Sequence, residues 1–523
     1  MKRHISLLGL CFASISAIIG SGWLFAAFYT AQNAGPSALL SWVLGGAAVI
    51  IIAFVFAELS AMLPITGTIS RIPHYTHGTL VSFTFTWIIW LSYVALMATE
   101  VQAVVQYMDY YFPNLTHGQG ALTQTGYAVA GILMVIITCI NVFSVRWLMR
   151  CNTALTVMKI IIPVFISIAI LAICFAPHRI LHAQHSSFMP FGFKGVLAAI
   201  STGGIVFAFN GFKQACELAG EAHNPQRALP IAIIGSISVC LLIYLLLQSA
   251  FLSSLGPANL MLGWHRLSIP GSNSPLAGII EQNHMTWLQP ILYTGAIIGP
   301  LAAALMYTAS AGRSLYAMSK NDYVPLAFEM INKKGIPWLA IIFNLVVGML
   351  MFAPLPGWNK MITFLASLMA ISYAIAPICF IALRSQLPNQ RRPLKLPFGN
   401  LWATIAFYFC NLLTYWSGWA IISMLGISLL CGFVILFAYH FFTPRGRQIQ
   451  LDAKASIWIW PYFGGIILIS YLGNFGGGHN VITFGWDFAI IAIFSVFIAW
   501  LAAYYRRPNQ AAIDFVKTLK IPQ

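Results

Sequence analysis

The chain has 523 residues, of which 59% are hydrophobic and only 7% are charged, whereas about a quarter of the residues of a typical soluble protein are charged. No globular interior is large enough to hold that much apolar surface, so the composition excludes a soluble globular protein and indicates a polytopic membrane protein. The nine cysteines are scattered singly. Their spacing predicts neither a disulfide framework nor a metal site.

Fourteen apolar stretches are long enough to cross a bilayer, since a spanning helix needs roughly 20 apolar residues. We predict membrane spans at residues 5–31, 37–63, 80–108, 124–144, 153–176, 194–219, 229–255, 285–318, 337–355, 359–383, 400–420, 421–442, 456–475 and 485–505. Only Ser417-Gly418-Trp419 marks the division between the eleventh and twelfth spans. The sequence therefore predicts an all-α polytopic membrane protein with about 14 helices in contact with the lipid bilayer.

The basic residues predict the orientation of these spans, because lysine and arginine are enriched in cytoplasmic loops. With a cytoplasmic N-terminus, 23 of the 27 Lys and Arg residues fall at or near the cytoplasmic side, and only Arg179, Lys194, Arg266 and Lys360 fall outside. The net charge of +16 is thus an orientation signal in a cell-membrane protein and does not predict nucleic-acid binding. We expect both termini, including a tail at 506–523, on the cytoplasmic side.

The first apolar stretch is interrupted at its centre by Gly20-Ser21-Gly22. Lipid cannot hydrogen-bond free backbone groups, so an interruption at this depth is tolerated only where it lines a cavity or where a ligand supplies the missing partners. The N–H groups that begin a second half-helix attract a carboxylate, and the carbonyl groups that end the first half, near Ile18 and Ile19, attract an ammonium group. These two ends suit an α-amino acid. The alternative is that the small residues only allow close helix packing.

A second interruption follows five spans later, at Phe207-Ala208-Phe209-Asn210-Gly211-Phe212-Lys213. Two broken spans in corresponding positions of two halves indicate the substrate site of a transporter. We therefore predict two inverted repeats, at 1–176 and 194–383, followed by accessory spans at 400–505. The predicted substrate site consists of Ile18, Ile19, Gly20, Ser21, Gly22, Phe207, Ala208, Phe209, Asn210, Gly211 and Lys213.

Several motifs carry a resemblance to a known family. Residues 207–230, FAFNGFKQACELAGEAHNPQRALP, resemble the sixth-span signature of the amino acid–polyamine–organocation (APC) superfamily of permeases. Three further stretches agree with that family: residues 57–64 resemble the end of its second span, residues 312–318 the end of its eighth span, and residues 391–397 the loop after its tenth span. The resemblance implies a LeuT-like five-plus-five inverted-repeat fold that moves amino acids by alternating access.

The resemblance also implies roles for the two interruptions. Gly20, Ser21 and Gly22 are expected to hold the substrate carboxylate. Carbonyl groups near Ile18 and from Phe207 to Phe209 are expected to hold its ammonium group, with Phe207 as an aromatic lid. One departure from the family pattern is Gly67-Thr68, where the second-span motif usually continues Gly-Gly.

Lys213 is the second departure, because the family often has an acidic residue at this position. A cation here attracts an acidic substrate side chain and repels a basic one. The alternative is that Lys213 pairs with Glu217 one turn further on. Bacterial aspartate–proton symporters form a subgroup that shares a basic residue at this position and resembles the chain near 471–477 and 485–487, which favours aspartate or glutamate as the substrate.

Two ionisable residues in the membrane predict a link to protons. Lys159 lies within the fifth span, where a charge is costly and marks a functional position, and burial disfavours the ammonium form. The resemblance places a span-five lysine of proton-coupled members where sodium-coupled relatives bind their ion. We therefore predict proton coupling through Lys159, with Glu100 of the third span as a further candidate for proton traffic or substrate contact. The alternatives are that Lys159 snorkels to the interface and that Glu100 is a carboxyl group packed between helices.

The sequence as a whole predicts a secondary active transporter that takes up acidic or other amino acids together with protons. Two alternatives remain: an exchanger of amino acids and a non-transporting membrane sensor on the same scaffold. We find no nucleophile–base constellation or phosphate-binding loop, and the spacing of His178, His182 and His185 does not provide a metal site. No enzymatic activity, cofactor or metal is predicted, and the oligomeric state is not indicated.

Overall fold

The computed structural model describes residues 5–65, 68–118, 120–143, 145–175, 187–269 and 273–518. The helices are, in chain order, α1 (Leu7–Ile18), α2 (Gly22–Ala34), α3 (Ala38–Met62), α4 (Thr68–His77), α5 (Thr79–Met108), α6 (Gln124–Phe143), α7 (Val145–Cys174), α8 (Gly192–Thr202), α9 (Ile205–Ala208), α10 (Lys213–Glu217), α11 (Pro225–Ser254), α12 (Pro275–Gln282), α13 (Gln289–Lys320), α14 (Trp338–Met351), α15 (Trp358–Gln386), α16 (Gly399–Tyr415), α17 (Trp419–Phe442), α18 (Ile459–Leu472), α19 (Trp486–Tyr505) and α20 (Asn509–Thr518). Strands β1 (Thr116–His117) and β2 (Ala121–Leu122) form a small antiparallel hairpin.

Each of the fourteen predicted spans coincides with helix in the part of the chain that the structure describes. By length and composition, ten helical segments are able to cross a membrane, and an eleventh is added if the pair formed by residues 192–202 and 205–217, bent by 41°, counts as one span. The all-α polytopic architecture is therefore confirmed. The eleventh and twelfth spans divide where the sequence indicates, because α16 ends at Tyr415 and α17 begins at Trp419.

The helices differ in how much of their surface other helices cover. The most apolar stretches of α5 and α15 are completely buried within the protein. In α17 and α19, only 28% of the corresponding stretch is buried. A helix that is apolar all round must face either other helices or lipid. The third and tenth spans therefore form the centre, and the twelfth and fourteenth lie at the periphery, where their exposed apolar side chains suit a lipid environment.

Successive spans alternate in direction, which gives the protein two sides. We call the side on which α1 begins the N-terminal side, and the side on which α2 ends the far side. The first span is interrupted between Ile18 and Gly22. The sixth enters from the far side as α8, turns at Gly204 with a positive φ of 94° and continues as the short helices α9 and α10 towards the N-terminal side.

The two interruptions cross each other in direct backbone contact. A Cβ atom at Gly211 would overlap the carbonyl carbon of Ala17 and the amide nitrogen of Ile18. Only glycine leaves room for this approach. Gly211 therefore sets the distance between the two broken spans.

We expect Gly211→Ala to lower the thermal unfolding temperature of the detergent-purified protein, because overpacking of this kind costs about 1–3 kcal/mol. Gly235→Ala in α11 is the matched control, since nothing lies within 4 Å of a Cβ atom at that position. The control should be neutral or slightly stabilising, because alanine favours helix more than glycine does. Equal melting of the two variants would contradict the proposed crossing of the broken spans.

Candidate functional site

The amide group at the start of α2 already binds a carboxylate of the protein. The Ser21 N–H donates to Glu100 Oε2 at 2.8 Å, and a Cβ atom at Gly20 would overlap the carboxylate of Glu100. Glu100 is only 1% exposed. Glycine at position 20 thus lets a buried carboxylate approach a helix N-terminus, the charge arrangement that such an end favours.

Lys159 lies on the other side of the same interruption. Its Nζ donates to the Ser16 carbonyl oxygen at 2.8 Å and lies 3.4 Å from Ser16 Oγ. The side chain is 4% exposed, so it is buried between α7 and α1 and does not snorkel to an interface. Lys159 and Glu100 also interact electrostatically. One acidic and one basic side chain therefore flank the break in the first span.

Tyrosine hydroxyl groups approach backbone carbonyl groups at the two interruptions. The Tyr244 hydroxyl lies 3.2 Å from the Ile18 carbonyl oxygen and 3.3 Å from that of Ala208, which joins the two broken spans. The Tyr307 hydroxyl donates to the Ala17 carbonyl oxygen at 2.8 Å. Both tyrosines escaped the sequence reasoning, because nothing in the pattern of an apolar span separates them from its other aromatic residues.

Ile19, Gly22 and Phe209, the remaining residues of the two interruptions, have different neighbours. Ile19, whose ψ is 80°, ends the helical conformation of α1. A Cβ atom at Gly22 would meet the Ala208 Cβ at 3.3 Å, so the two breaks touch here as well. Phe209 packs edge-on against Trp42 and Tyr244 and therefore faces the second and seventh spans.

Trp358 covers the two interruptions from the far side. Its indole Nε1 donates to Ser21 Oγ at 2.8 Å, and its backbone N–H donates to Gln106 Oε1 at 3.0 Å. The ring stacks on Phe25 with centroids 4.6 Å apart and lies perpendicular to the ring of Phe207 with centroids 5.6 Å apart. The predicted lid residue Phe207 is thus one part of an aromatic cover whose centre is Trp358, which the sequence analysis did not identify.

Asn210 and Lys213 lie in a polar layer on the N-terminal side of the crossing. The Tyr373 hydroxyl donates to Asn210 Oδ1 at 3.1 Å. Lys213 Nζ donates to Ser372 Oγ at 3.2 Å and lies 4.8 Å from the centroid of the Tyr373 ring. At 3% exposure, Lys213 is a buried cation held by a hydroxyl group and an aromatic face.

Lys213 and Glu217 interact electrostatically, but each has another hydrogen-bond partner. Glu217 accepts a hydrogen bond from the Tyr93 hydroxyl, and Lys213 donates to Ser372. Lys213 and Glu217 therefore interact at longer range and do not form the direct pair considered from the sequence. The polar layer that contains them also includes Tyr93 of the third span and Tyr373 of the tenth span.

Contacts also close the N-terminal side. The Ile5 N–H donates to the Glu221 carbonyl oxygen at 3.0 Å, and the His223 N–H donates to the Ile5 carbonyl oxygen at 2.9 Å, which ties the start of the first span to the end of the sixth. Nearby, the Glu58 carboxylate accepts from Arg384 Nη2 at 2.9 Å and from the Leu396 N–H at 2.7 Å.

Four residues named in the sequence analysis lie outside the described residues, namely Gly67, His178, His182 and His185.

The Trp358–Ser21 hydrogen bond generates a double-mutant prediction. Trp358→Phe and Ser21→Ala each remove the same bond, which contributes about 1 kcal/mol in a buried setting. We therefore expect the double variant to lower the unfolding temperature by less than the sum of the two single variants. Trp458→Phe is the matched control, because Trp458 is fully buried and its indole N–H has no hydrogen-bond partner among the described residues. Strict additivity of Trp358→Phe and Ser21→Ala would show that the bond contributes nothing.

Comparison with known proteins assigns the architecture to a family. A family model described as "Amino acid permease" matches residues 5–470. The chain is 35% identical over 509 residues to the glutamate/serine transporter AimA of Bacillus subtilis, which covers 96% of this chain and 93% of the relative. It is 34% identical over 519 residues to the aspartate-proton symporter of the same organism, with 99% of each chain covered. It is 28% identical over 459 residues to the branched-chain amino acid permease BcaP of B. subtilis, with 84% of this chain and 93% of the relative covered. The chain therefore belongs to the amino acid permease family of the APC superfamily and is a membrane transporter.

Proposed function

We propose that the protein takes up acidic amino acids together with protons, with its N-terminal side in the cytoplasm. The observation that carries the proposal is the buried carboxylate of Glu100 on the Ser21 amide, 2.8 Å away. An amino acid that binds across the broken first span needs the same amide for its own carboxylate. Glu100 and the substrate therefore compete for one anion-binding helix end.

This competition provides a physical reason for proton coupling. Two carboxylates at one buried site repel each other, and a proton on one of them removes the repulsion. Binding of the substrate carboxylate beside Glu100 thus favours uptake of a proton by Glu100. Lys159 interacts electrostatically with Glu100 and donates a hydrogen bond to the Ser16 carbonyl oxygen in α1. A change in the charge of Glu100 therefore affects Lys159 and, through it, the position of α1.

The preference for acidic substrates is supported by Lys213. Its ammonium group is buried beside Ser372 and Tyr373, without a direct hydrogen bond to a carboxylate among the described residues. Tyr373 connects this layer to Asn210 in the second interruption. Glu217 interacts with Lys213 only at longer range, so a carboxylate on the substrate side chain would supply the direct partner that the buried ammonium group lacks. The names of two relatives, which specify glutamate or serine and aspartate, support the same substrate class.

The basic residues support the orientation. Exposed cations such as Lys333, Lys334, Arg391 and Lys395 lie in loops on the N-terminal side, and such residues are enriched in cytoplasmic loops. The tail that contains α20 lies on this side as well, after the last span. Both termini are then cytoplasmic. Contacts at Trp358 and at Ile5 close the two sides separately, as alternating access requires.

Transport in proteoliposomes tests proton coupling. We expect wild-type protein to accumulate labelled aspartate when the proton gradient is directed inward and to lose the accumulation when a protonophore is added. Glu100→Gln keeps an oxygen that accepts the Ser21 N–H but cannot exchange a proton. This variant should retain exchange of external for internal aspartate while losing roughly tenfold or more of its proton-driven accumulation.

Glu281→Gln is the matched control for Glu100→Gln, because Glu281 is a carboxylate at the far side that accepts a hydrogen bond from Tyr110. It should transport like the wild type. Full proton-driven accumulation by Glu100→Gln would contradict the role of Glu100. Wild-type uptake that requires preloaded amino acid and ignores the proton gradient would instead identify an exchanger.

Substrate competition tests Lys213. We expect Lys213→Gln to raise the KM for aspartate about 30-fold or more, because loss of a buried charge partner costs about 2 kcal/mol or more. The KM for serine, which has no side-chain charge, should change little. Lys194→Gln, at the start of the same broken span on the far side, is the control and should leave both values unchanged. Parallel loss of aspartate and serine transport in Lys213→Gln would refute a role in side-chain selection.

A further inference from the structure

A basic cavity of about 700 Å³ lies on the N-terminal side, away from the two interruptions. It is bounded by the end of α6, by α13 and by the loop that leads into α14. Three cations line it, Arg313, Lys333 and Lys334, and much of the remaining wall is apolar, including Phe143 and Ile331. A cavity that combines cationic and apolar walls suits an amphiphilic anion.

The loop that carries the two lysines is fixed in place by hydrogen bonds. Asn332 Nδ2 donates to the Val142 carbonyl oxygen at 3.1 Å, which attaches the loop to the end of α6. Asn332 Oδ1 accepts from the N–H groups of Lys334 and Ile336 at 2.9 and 3.1 Å, and Gly335 completes the turn with a φ of 75°. Lys333 and Lys334 are therefore held at the cavity, which lowers the entropy cost of binding an anion.

The positive charge of the cavity is largely uncompensated. Ion pairs on this side involve other cations, namely Lys320, Arg384, Arg392, Arg445 and Arg507. Within the described part of the chain, no ion pair involves Arg313, Lys333 or Lys334. Lys334 Nζ does contact the Phe143 carbonyl oxygen at 2.6 Å, and Arg313 interacts at longer range with Glu217. Three cations with one distant carboxylate attract an anion.

A buried amide group adds a second requirement to the ligand. Asn141 lines the cavity and is fully buried, and its Nδ2 donates to the Ile137 carbonyl oxygen at 3.0 Å. Among the described residues, Asn141 Oδ1 has no hydrogen-bond partner. An unpaired buried acceptor is costly, and a hydroxyl group on the ligand would satisfy it.

The cavity lies at the end of a membrane span, where we expect the headgroup region of the bilayer. Arg313 lies seven residues before the end of α13 at Lys320, which corresponds to about 10 Å along a helix. The apolar side chains Phe143 and Ile331 are 65% and 53% exposed. They can therefore contact acyl chains while the cations reach a phosphate group.

We propose that this cavity binds an anionic phospholipid whose headgroup carries free hydroxyl groups, such as phosphatidylglycerol. The phosphate is held by Arg313, Lys333 and Lys334, a headgroup hydroxyl donates to Asn141 Oδ1, and the acyl chains run along Phe143 and Ile331. The cavity contains no residue of the two interruptions, and its one link to them is the longer-range interaction of Arg313 with Glu217.

Native mass spectrometry of the detergent-purified full chain tests the site with dioleoyl phosphatidylglycerol and dioleoyl phosphatidylcholine as probes. We expect selective retention of phosphatidylglycerol. The variant Lys333→Gln/Lys334→Gln should bind it about 30-fold more weakly, since each basic residue near an anionic lipid contributes about 1 kcal/mol, or about fivefold in affinity. The matched control Arg391→Gln/Lys395→Gln removes the same charge from exposed positions on the same side and should bind like the wild type.

Two outcomes would overturn the proposal. Equal affinity of Lys333→Gln/Lys334→Gln and of the control for phosphatidylglycerol would show that the cavity does not select the lipid. Displacement of the lipid by inorganic phosphate or by aspartate at millimolar concentration would assign the cavity to a soluble anion. Because the readout is lipid retention, a failure here is distinguishable from a failure of amino-acid transport.

Discussion

Backbone groups that leave helical pairing inside a bilayer need other partners, and this constraint organises the centre of the protein. The Ser21 amide binds Glu100 of the third span. The carbonyl oxygens of Ile18 and Ala208 meet the hydroxyl of Tyr244 from the seventh span, and Ala17 is reached from the eighth span in the same way. Polar side chains from several otherwise apolar helices thus form hydrogen bonds with the backbone of the two short interruptions.

The same arrangement suits a site that must open towards each side in turn. The far side is closed by Trp358, which contacts Ser21 and the ring of Phe207. The N-terminal side is closed by Ile5, which pairs with the backbone after the sixth span. Because the two closures involve different residues, one can open while the other stays shut. The proposed competition of substrate and Glu100 for the Ser21 amide supplies a free-energy change for such a step.

Charge has two different uses in this chain. Inside the membrane region the few charged groups are buried and individually held, as Lys159 is by Ser16 and Lys213 by Ser372. On the N-terminal side the cations are numerous. Two of them, Lys333 and Lys334, have no ion-pair partner among the described residues. The first group fits the handling of a charged substrate and a proton, and the second fits contact with anionic lipid.

The sequence by itself determined the spans, the positions of the two breaks and the family. A run of about 20 apolar residues has few alternatives to a membrane helix, and glycines in its middle mark where the helix must end. The sequence also indicated Glu100, Lys159 and Lys213, because charges are rare in such spans. Only the tertiary structure decided which groups meet, because Ser21 and Glu100 are 79 residues apart and Ser21 and Trp358 are 337 residues apart. Tyr244, Tyr307 and Trp358 resemble every other aromatic residue in an apolar helix until helix packing brings their polar atoms to the broken backbone.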